Sequence, residues 1–206
     1  MPCCLVGSEM CIRDSTHFTH ICSKGPPFLN ALSTSIHHLS TLAINMNSEP
    51  VSLNVGEIAP DFEAELTNGD KLILSDILSS GEKVILYFYP KDSTPGCTVQ
   101  ACDFRDNFSR LQSAGFRVIG VSKDSSKSHQ NFIEKYELPF ELIVDSETKL
   151  HQLYGVWREK MNYGKTYLGV SRSTFVIDTD GKLISVGYNV RASGHVERLV
   201  KELGIE

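Results

Sequence analysis

The alternation of apolar and polar positions along the chain predicts strands and helices that follow one another. Runs rich in branched and aromatic residues predict strands at residues 84–89, 116–121, 141–145 and 173–178. Helical patterns predict helices at residues 98–113, 126–136, 147–153 and 193–203. The run at 84–89 is apolar throughout, which is typical of a central strand buried on both faces.

Turn signals connect these elements into a fold. Residues 62–75 predict a hairpin, because two short strand patterns flank Asn68 and Gly69. A second hairpin joins the strand at 173–178 to residues 182–188. Strand–helix–strand units followed by a hairpin and a final helix predict an α/β fold. We expect a central mixed β-sheet flanked by helices, with an N-terminal β-hairpin and no second domain.

The first 45 residues lack this periodicity and are rich in Ser, Thr and His, so we place the domain at residues 46–206. The stretch 6–15 resembles a translated sequencing-library adapter, and we interpret it as an assembly artefact. Residues 16–45 lack Asp and Glu, which is typical of a transit peptide. They hold a single Lys and no Arg, however, whereas transit peptides are rich in Arg. The other explanation is translated upstream sequence, with the true start at Met46.

Composition and charge narrow the class of function. The chain has 206 residues, of which 41% are hydrophobic and 22% are charged, as in ordinary globular proteins. A net charge of −5 argues against general nucleic-acid binding, which requires a basic face. No apolar run approaches the roughly 18 residues that span a bilayer, so we expect no membrane partner.

The distribution of cysteines indicates the redox environment. Four of the six cysteines fall within the first 22 residues, so the predicted domain holds only Cys97 and Cys102. A secreted fold stapled by disulfides would spread its cysteines among its elements. We therefore expect a reducing, cytoplasmic location, or an organelle if residues 16–45 are a real transit peptide.

Cys97 lies where a thiol can be held as a thiolate. It follows a strand and a turn, at the predicted start of a helix, where unpaired N–H groups and the helix dipole favour an anion. A neighbouring cation would have the same effect, and Arg172, directly before the strand at 173–178, is the best candidate. Thr94 lies three residues before Cys97, and its hydroxyl is suited to orienting a peroxide.

A second thiol completes a possible redox cycle. A thiolate that attacks an O–O bond becomes a sulfenic acid, which condenses with a nearby thiol, here Cys102. Residues five apart on a helix are separated by about 7.5 Å in rise, whereas a disulfide does not form much beyond ~7 Å between Cα atoms. We therefore expect the first turns of the helix to unwind before Cys102 reaches Cys97. The alternatives are a Cys102 that only packs, or a metal clip, which would need two further ligands.

Residues 50–206 closely resemble the peroxiredoxins, and within them the bacterioferritin-comigratory-protein or Q-type subgroup. The motif Pro-x-x-x-Thr-x-x-Cys is present as Pro90, Thr94 and Cys97. The second cysteine five residues on, Cys102, is the Q-type pattern, and Arg172 stands where the family keeps its active-site arginine. The resemblance implies a thioredoxin-like fold and a thiol peroxidase that reduces hydrogen peroxide and organic hydroperoxides.

The same resemblance implies roles for these residues. Cys97 would be the peroxidatic cysteine and Cys102 the resolving one, while Thr94 and Arg172 bind the peroxide and activate the thiolate. Pro90 completes the motif. Thioredoxin or a similar dithiol protein would reduce the resulting disulfide, with no cofactor or metal, in a monomer.

Two other classes of function stay open from the sequence. The first is a thiol–disulfide oxidoreductase or redox sensor that acts on protein partners. A thioredoxin-type enzyme would be expected to carry Cys-x-x-Cys, whereas four residues separate these thiols. A non-catalytic interaction domain is also compatible with the fold, because fold alone does not determine function. We expect the domain's three histidines to be solvated: His129, His151 and His195.

Overall fold

The computed structural model describes residues 51–162 and 164–205. The predictions for residues 1–45 fall outside these ranges and stay predictions. Strands β1 to β9 are Glu63–Glu65, Lys71–Ile73, Lys83–Phe88, Phe116–Ser122, Glu141–Val144, Trp157–Asn162, Lys165–Val170, Ser173–Ile177 and Leu183–Gly187. Helices α1 to α6 are Leu74–Ser79, Pro95–Asp106, Phe108–Ser113, Ser126–Tyr136, Lys149–Leu153 and His195–Glu202. Among the described residues, no helix has both the length and the apolar character needed to cross a bilayer.

The main sheet contains five strands in the order β5-β4-β3-β8-β9. Strands β3, β4 and β5 run parallel, while β8 is antiparallel to β3 and β9 is antiparallel to β8. Parallel neighbours require crossover connections, which α2, α3 and α4 provide. The predicted central mixed sheet and the N-terminal hairpin, formed by β1 and β2, are both confirmed.

Strand β3 is the centre of this sheet and is buried on both faces, as its apolar run predicts. Alternate side chains enter two separate apolar cores, because successive strand residues point to opposite faces. Helices α1 and α5 pack in the first core, and α2, α4 and α6 in the second. Cys97 belongs to the second core, so the helix that carries it is docked directly on the sheet.

The predicted helix at 98–113 is wrong at its start and in its continuity. The helix begins at Pro95, because proline is favoured in the first helical turn, where its missing N–H costs nothing. It is divided at Asn107, whose backbone leaves helical geometry at φ −99° and ψ 3°. The Asn107 side-chain amide donates to the Asp103 carbonyl, a local bond that competes with helix continuation.

One helix and one two-stranded hairpin were not predicted from the sequence. Helix α1 directly follows β2, and a hairpin of β6 and β7 occupies the stretch before Arg172, where no element was expected. The β6–β7 hairpin has no regular apolar alternation, because much of β7 is exposed and β6 carries the charged run Arg158-Glu159-Lys160. The pattern that finds half-buried strands is therefore missing there.

Candidate active site

Cys97 occupies the first turn of α2. Thr94 is the N-cap residue and Pro95 is the first helical residue, with the fixed φ that suits this position. The first helical hydrogen bond runs from the Thr98 N–H to the Thr94 carbonyl at 2.9 Å. The amide of Cys97 therefore lies in the turn whose N–H groups have no helical acceptor, and this turn favours an anion. The side chain of Cys97 is only 2% exposed, so a thiolate there is shielded from solvent.

Arg172 supplies the cation that the sequence predicts. It lies between β7 and β8, and its Nη2 donates to Cys97 Sγ at 3.3 Å. Its other terminal nitrogen, Nη1, donates to Gln100 Oε1 at 2.6 Å. Gln100 is fully buried one turn after Cys97, so both groups lie on the same face of α2. One planar guanidinium therefore bridges the thiol and the amide, a geometry that an ammonium does not reproduce.

Pro90 and Thr94 lie on the loop between β3 and α2. The Thr94 hydroxyl donates to the Lys91 carbonyl at 3.0 Å, so the hydrogen bond that it donates stays within the loop. Both residues are half-buried next to the start of the helix. The loop also contains Ser93, which adopts a left-handed φ of 54°. The structure thus places the predicted motif residues on one short, tightly folded segment.

Cys102 lies further along the same helix. It is half-buried, and both it and Cys97 are free thiols. Helix α2 continues without interruption from Pro95 to Asp106. The two sulfur atoms therefore belong to one intact helix, in the state in which the predicted disulfide has not formed.

Comparison with known proteins agrees with this geometry. A model of the AhpC/TSA family matches residues 55–186. Peroxiredoxin Bcp of Bacillus subtilis is 44% identical over 153 residues, which cover 74% of this chain and 96% of the relative. The chain belongs to the peroxiredoxin family. Two solved structures from Xanthomonas campestris are also similar to this peroxiredoxin.

The first of these structures is a bacterioferritin comigratory protein. It has a TM-score of 0.65 and 36% identity, and the match covers 69% of this chain and 90% of that chain. The second is peroxiredoxin Q, with a TM-score of 0.67, 35% identity, and coverage of 76% and 98%. The sequence-based family assignment and the thioredoxin-like fold are thus confirmed. As a peroxiredoxin, the chain is a thiol peroxidase that reduces hydroperoxides.

Three side chains near Cys97 in this peroxiredoxin were not predicted from the sequence: Gln100, Tyr87 and Lys160. Burial, and then the nearby Cys97, raise the pKa of Tyr87, whose hydroxyl has no hydrogen-bond partner among the described residues. Burial, and then the charge of Arg172, lower the pKa of Lys160 on β6. The three-residue spacing of Gln100 from Cys97 was the one available signal, because it places both on one helix face.

The expectation of solvated histidines is wrong for all three. His129, His151 and His195 are buried. Each has a polar partner: Asp92 for His129 at 2.9 Å, Asp145 for His151 at 2.6 Å, and Thr174 for His195 at 2.9 Å. Two of these partners are more than twenty residues away in the sequence, so the local pattern did not reveal them.

Proposed function

We propose that this chain reduces hydrogen peroxide and organic hydroperoxides at Cys97, with Arg172 as the residue that activates the thiolate. The 3.3 Å contact from Arg172 Nη2 to Cys97 Sγ carries the proposal, because it places a fixed cation at a buried thiol. A related structure concerns the alkyl peroxide reduction activity of the Xanthomonas campestris bacterioferritin comigratory protein, which supports organic hydroperoxides as substrates.

The first step is nucleophilic attack on the peroxide. The Cys97 thiolate forms an S–O bond as the O–O bond breaks, and the electron pair leaves with the distal oxygen. That oxygen takes a proton and departs as water or an alcohol, while Cys97 is oxidised to a sulfenic acid. Arg172 stabilises negative charge on the sulfur and on the reacting oxygens. The Thr94 hydroxyl donates its O–H to the Lys91 carbonyl, so its lone pairs are free to accept a hydrogen bond from the peroxide O–H.

The second step joins the two cysteines. The Cys102 sulfur attacks the Cys97 sulfenic acid, an S–S bond forms, and hydroxide leaves and takes the thiol proton as water. Two residues on an intact helix at this spacing are about 7.5 Å apart along the axis, so the first turns of α2 unwind for this step. We propose thioredoxin, or a similar dithiol protein, as the reductant that restores both thiols.

The partners and the setting follow from this cycle. A disulfide within one chain needs no second subunit, so we propose that the enzyme acts as a monomer. The cycle returns Cys97 and Cys102 to free thiols, and we propose a reducing compartment such as the cytoplasm as its setting.

A coupled assay tests the cycle. The full chain is mixed with thioredoxin, thioredoxin reductase, NADPH and hydrogen peroxide, and the loss of NADPH is followed. We expect peroxide-dependent turnover in the wild type and none in Cys97→Ser. Cys102→Ser should consume about one equivalent of peroxide and then stop, because its sulfenic acid has no partner thiol.

The remaining cysteines provide the control. A chain with serine at all four positions outside the domain should keep full turnover: Cys3, Cys4, Cys11 and Cys22. Absence of peroxide-dependent NADPH loss in the wild type would refute the proposed thioredoxin-dependent cycle. Normal cycling by Cys102→Ser would show instead that another group resolves the sulfenic acid.

A further inference from the structure

The loop that carries Thr94 is anchored to the protein through Asp92, a buried carboxylate two residues earlier. Asp92 is 6% exposed and accepts three side-chain hydrogen bonds. The donors are Ser128 Oγ at 2.6 Å, Tyr89 Oη at 2.8 Å and His129 Nδ1 at 2.9 Å. In addition, the Asp92 backbone N–H donates to Asp124 Oδ2 at 2.7 Å. The loop is therefore fixed from β3, from α4 and from the turn after β4.

His129 on α4 is the buried hydrogen-bond partner of this carboxylate. It is fully buried, and its two ring nitrogens face two acceptors: Nδ1 faces Asp92, and Nε2 faces the Ile143 carbonyl of β5 at 3.2 Å. An ionised carboxylate can only accept, so His129 Nδ1 is the donor of the bond to Asp92. A buried carboxylate is tolerated only when it is hydrogen-bonded or paired, and His129 supplies one of these bonds.

The pKa of Asp92 agrees with a hydrogen-bonded carboxylate. Burial alone raises the pKa of this carboxyl, but hydrogen bonds from His129 and Ser128 outweigh burial, and the pKa lies below its usual value of 3.8. Asp92 is therefore ionised at neutral pH. The remaining polar groups at the pair are the Tyr89 hydroxyl, 3.4 Å from His129 Nδ1, and Asp124, which is bound to the Asp92 backbone.

The loop that carries Thr94 needs contacts with the rest of the protein to keep its conformation. Ser93, between Asp92 and Thr94, adopts a left-handed φ of 54°, which costs free energy for a residue with a Cβ. Such a conformation persists only where surrounding contacts fix it. The Thr94 hydroxyl bonds back to the Lys91 carbonyl, on the other side of Asp92. The position of that hydroxyl therefore depends on the position of Asp92.

We propose that His129 is a positioning residue for peroxide reduction: its Nδ1–H fixes Asp92, and through Asp92 it fixes the Thr94 hydroxyl that meets the peroxide. This inference rests on the proposed function. His129 does not touch Cys97 or Arg172 in the described contacts, so its effect is on the orientation of the substrate and not on formation of the thiolate.

The test measures the second-order rate constant for hydrogen peroxide with Cys97 in the full chain. It uses competition with horseradish peroxidase from pH 5 to 8, with the Cys97→Ser value subtracted. His129→Gln should lower the rate constant about tenfold or more at every pH, because a reacting group misplaced by about 1 Å costs up to ~100-fold. The pH at which the rate falls on the acid side should not move, because the Arg172–Cys97 contact is unchanged.

His151→Gln is the matched control. His151 is also fully buried and also bonded to a carboxylate, Asp145 at 2.6 Å, but neither residue contacts the loop that carries Thr94 in the described contacts. Its rate constant should stay within about twofold of the wild type, because substitutions away from the reacting groups have small effects. The double variant Asp92→Asn/His129→Gln should recover part of the loss, because it leaves no unpaired buried charge.

Folding of each variant is checked by circular dichroism. If His129→Gln does not fold, Ser128→Ala removes the 2.6 Å bond to Asp92 and should lower the rate constant about threefold or more. A folded variant with the wild-type rate overturns the inference. So does an equal loss in His151→Gln, or a loss that moves the acid side of the profile. A wild type without Cys97-dependent peroxide consumption would instead refute the proposed function itself.

Discussion

At the level of single side chains, the guanidinium of Arg172 connects Cys97 with Gln100. Arg172 donates to Cys97 Sγ with one terminal nitrogen and to Gln100 Oε1 with the other. The Gln100 bond is the shorter, at 2.6 Å, and it fixes the plane of the guanidinium. Because the amide and the thiol lie on the same helix, Arg172 keeps its orientation only while that helix is intact.

Gln100→Leu should therefore weaken catalysis although it does not touch the sulfur. The apolar side chain leaves an N–H of the half-buried Arg172 without its acceptor, and hydrogen bonds to charged groups contribute about 1.5–3 kcal/mol. We expect the rate constant of Cys97 with peroxide to fall about tenfold or more. Stopped-flow measurement of a single peroxide addition gives this value directly.

Gln100→Glu provides the comparison for that change. Its carboxylate also accepts from Arg172, so it should keep the rate within about threefold of the wild type. A wild-type rate in Gln100→Leu would show that Arg172 is oriented by other contacts, and equal losses in both variants would show that the bond to Arg172 is not the cause of the loss.

The sequence alone predicts some residues of this site and not others. Cys97, Cys102, Thr94 and Arg172 were predicted because each belongs to a motif with fixed spacing or stands next to a predicted strand. Gln100 is an ordinary helix residue in sequence, and its role appears only when Arg172, which is 72 positions away, folds against it. The contact between Asp92 and His129 was not predicted for the same reason, since 37 positions separate them.

At the level of elements, helix α2 carries both cysteines in its first turns and is anchored on the sheet after them. Phe104 is fully buried and stacks on Tyr87 with ring centroids 4.6 Å apart. The turns before it carry Cys97 and Cys102, whereas Val99 between them is 45% exposed. Unwinding of the first turns can therefore bring the cysteines together while Phe104 keeps the rest of the helix on the sheet.

Substitutions at Val99 test this unwinding without changing the core. Ala favours a helix over Gly by about 1 kcal/mol, which corresponds to about fivefold in an opening equilibrium. After one equivalent of peroxide, the Cys97–Cys102 disulfide should form about fivefold more slowly in Val99→Ala than in Val99→Gly. Alkylation of remaining thiols at set times, followed by mass spectrometry, gives the rate.

The first oxidation step is the internal reference for this pair. Both variants should react with peroxide at the wild-type rate, because that step uses the intact helix. Disulfide rates that do not depend on helix propensity would show that the two sulfurs meet without unwinding of these turns.

Prediction of elements succeeded where one physical signal dominated. Strand β3 was found from its continuous apolar run, and α4 was found with its bounds, because Ser125 accepts from the Ser128 N–H as an N-cap and the apolar residues fall on one face. The β6–β7 hairpin was missed, because pairing between its own two strands stabilises it and little of it is buried. Main-chain pairing leaves no side-chain periodicity to detect.

Both faces of the sheet must be covered for the molecule as a whole to be stable, and α6 covers the face that also holds Cys97. Val196, Leu199 and Val200 of α6 enter that core. His195, at the start of α6, is 7% exposed and bonds to Thr174 of β8 at 2.9 Å. Burial, and then the charges of Arg198 and Arg172, lower the pKa of His195 from 6.5 to about 4.

This shift links the stability of the fold to pH with a definite sign. Between pH 6.5 and about 4 the unfolded chain binds a proton at His195 that the folded chain does not bind, so the free energy of unfolding decreases as the pH falls. The carboxyls of Asp92 and Asp145 act in a different window. Their pKa values are lowered from 3.8, since their hydrogen bonds outweigh burial, so their contribution is lost only below that pH.

Urea unfolding at pH 7 and at pH 5 should therefore separate the His195 effect. The wild type should lose about 2 kcal/mol more than His195→Gln between these two pH values, because the glutamine amide can bond to Thr174 but does not titrate. The comparison uses the difference between the two proteins, so groups that titrate equally in both cancel. Parallel loss of stability in the two proteins would mean that His195 binds a proton in the folded state near pH 6, and that the start of α6 opens to water in that range.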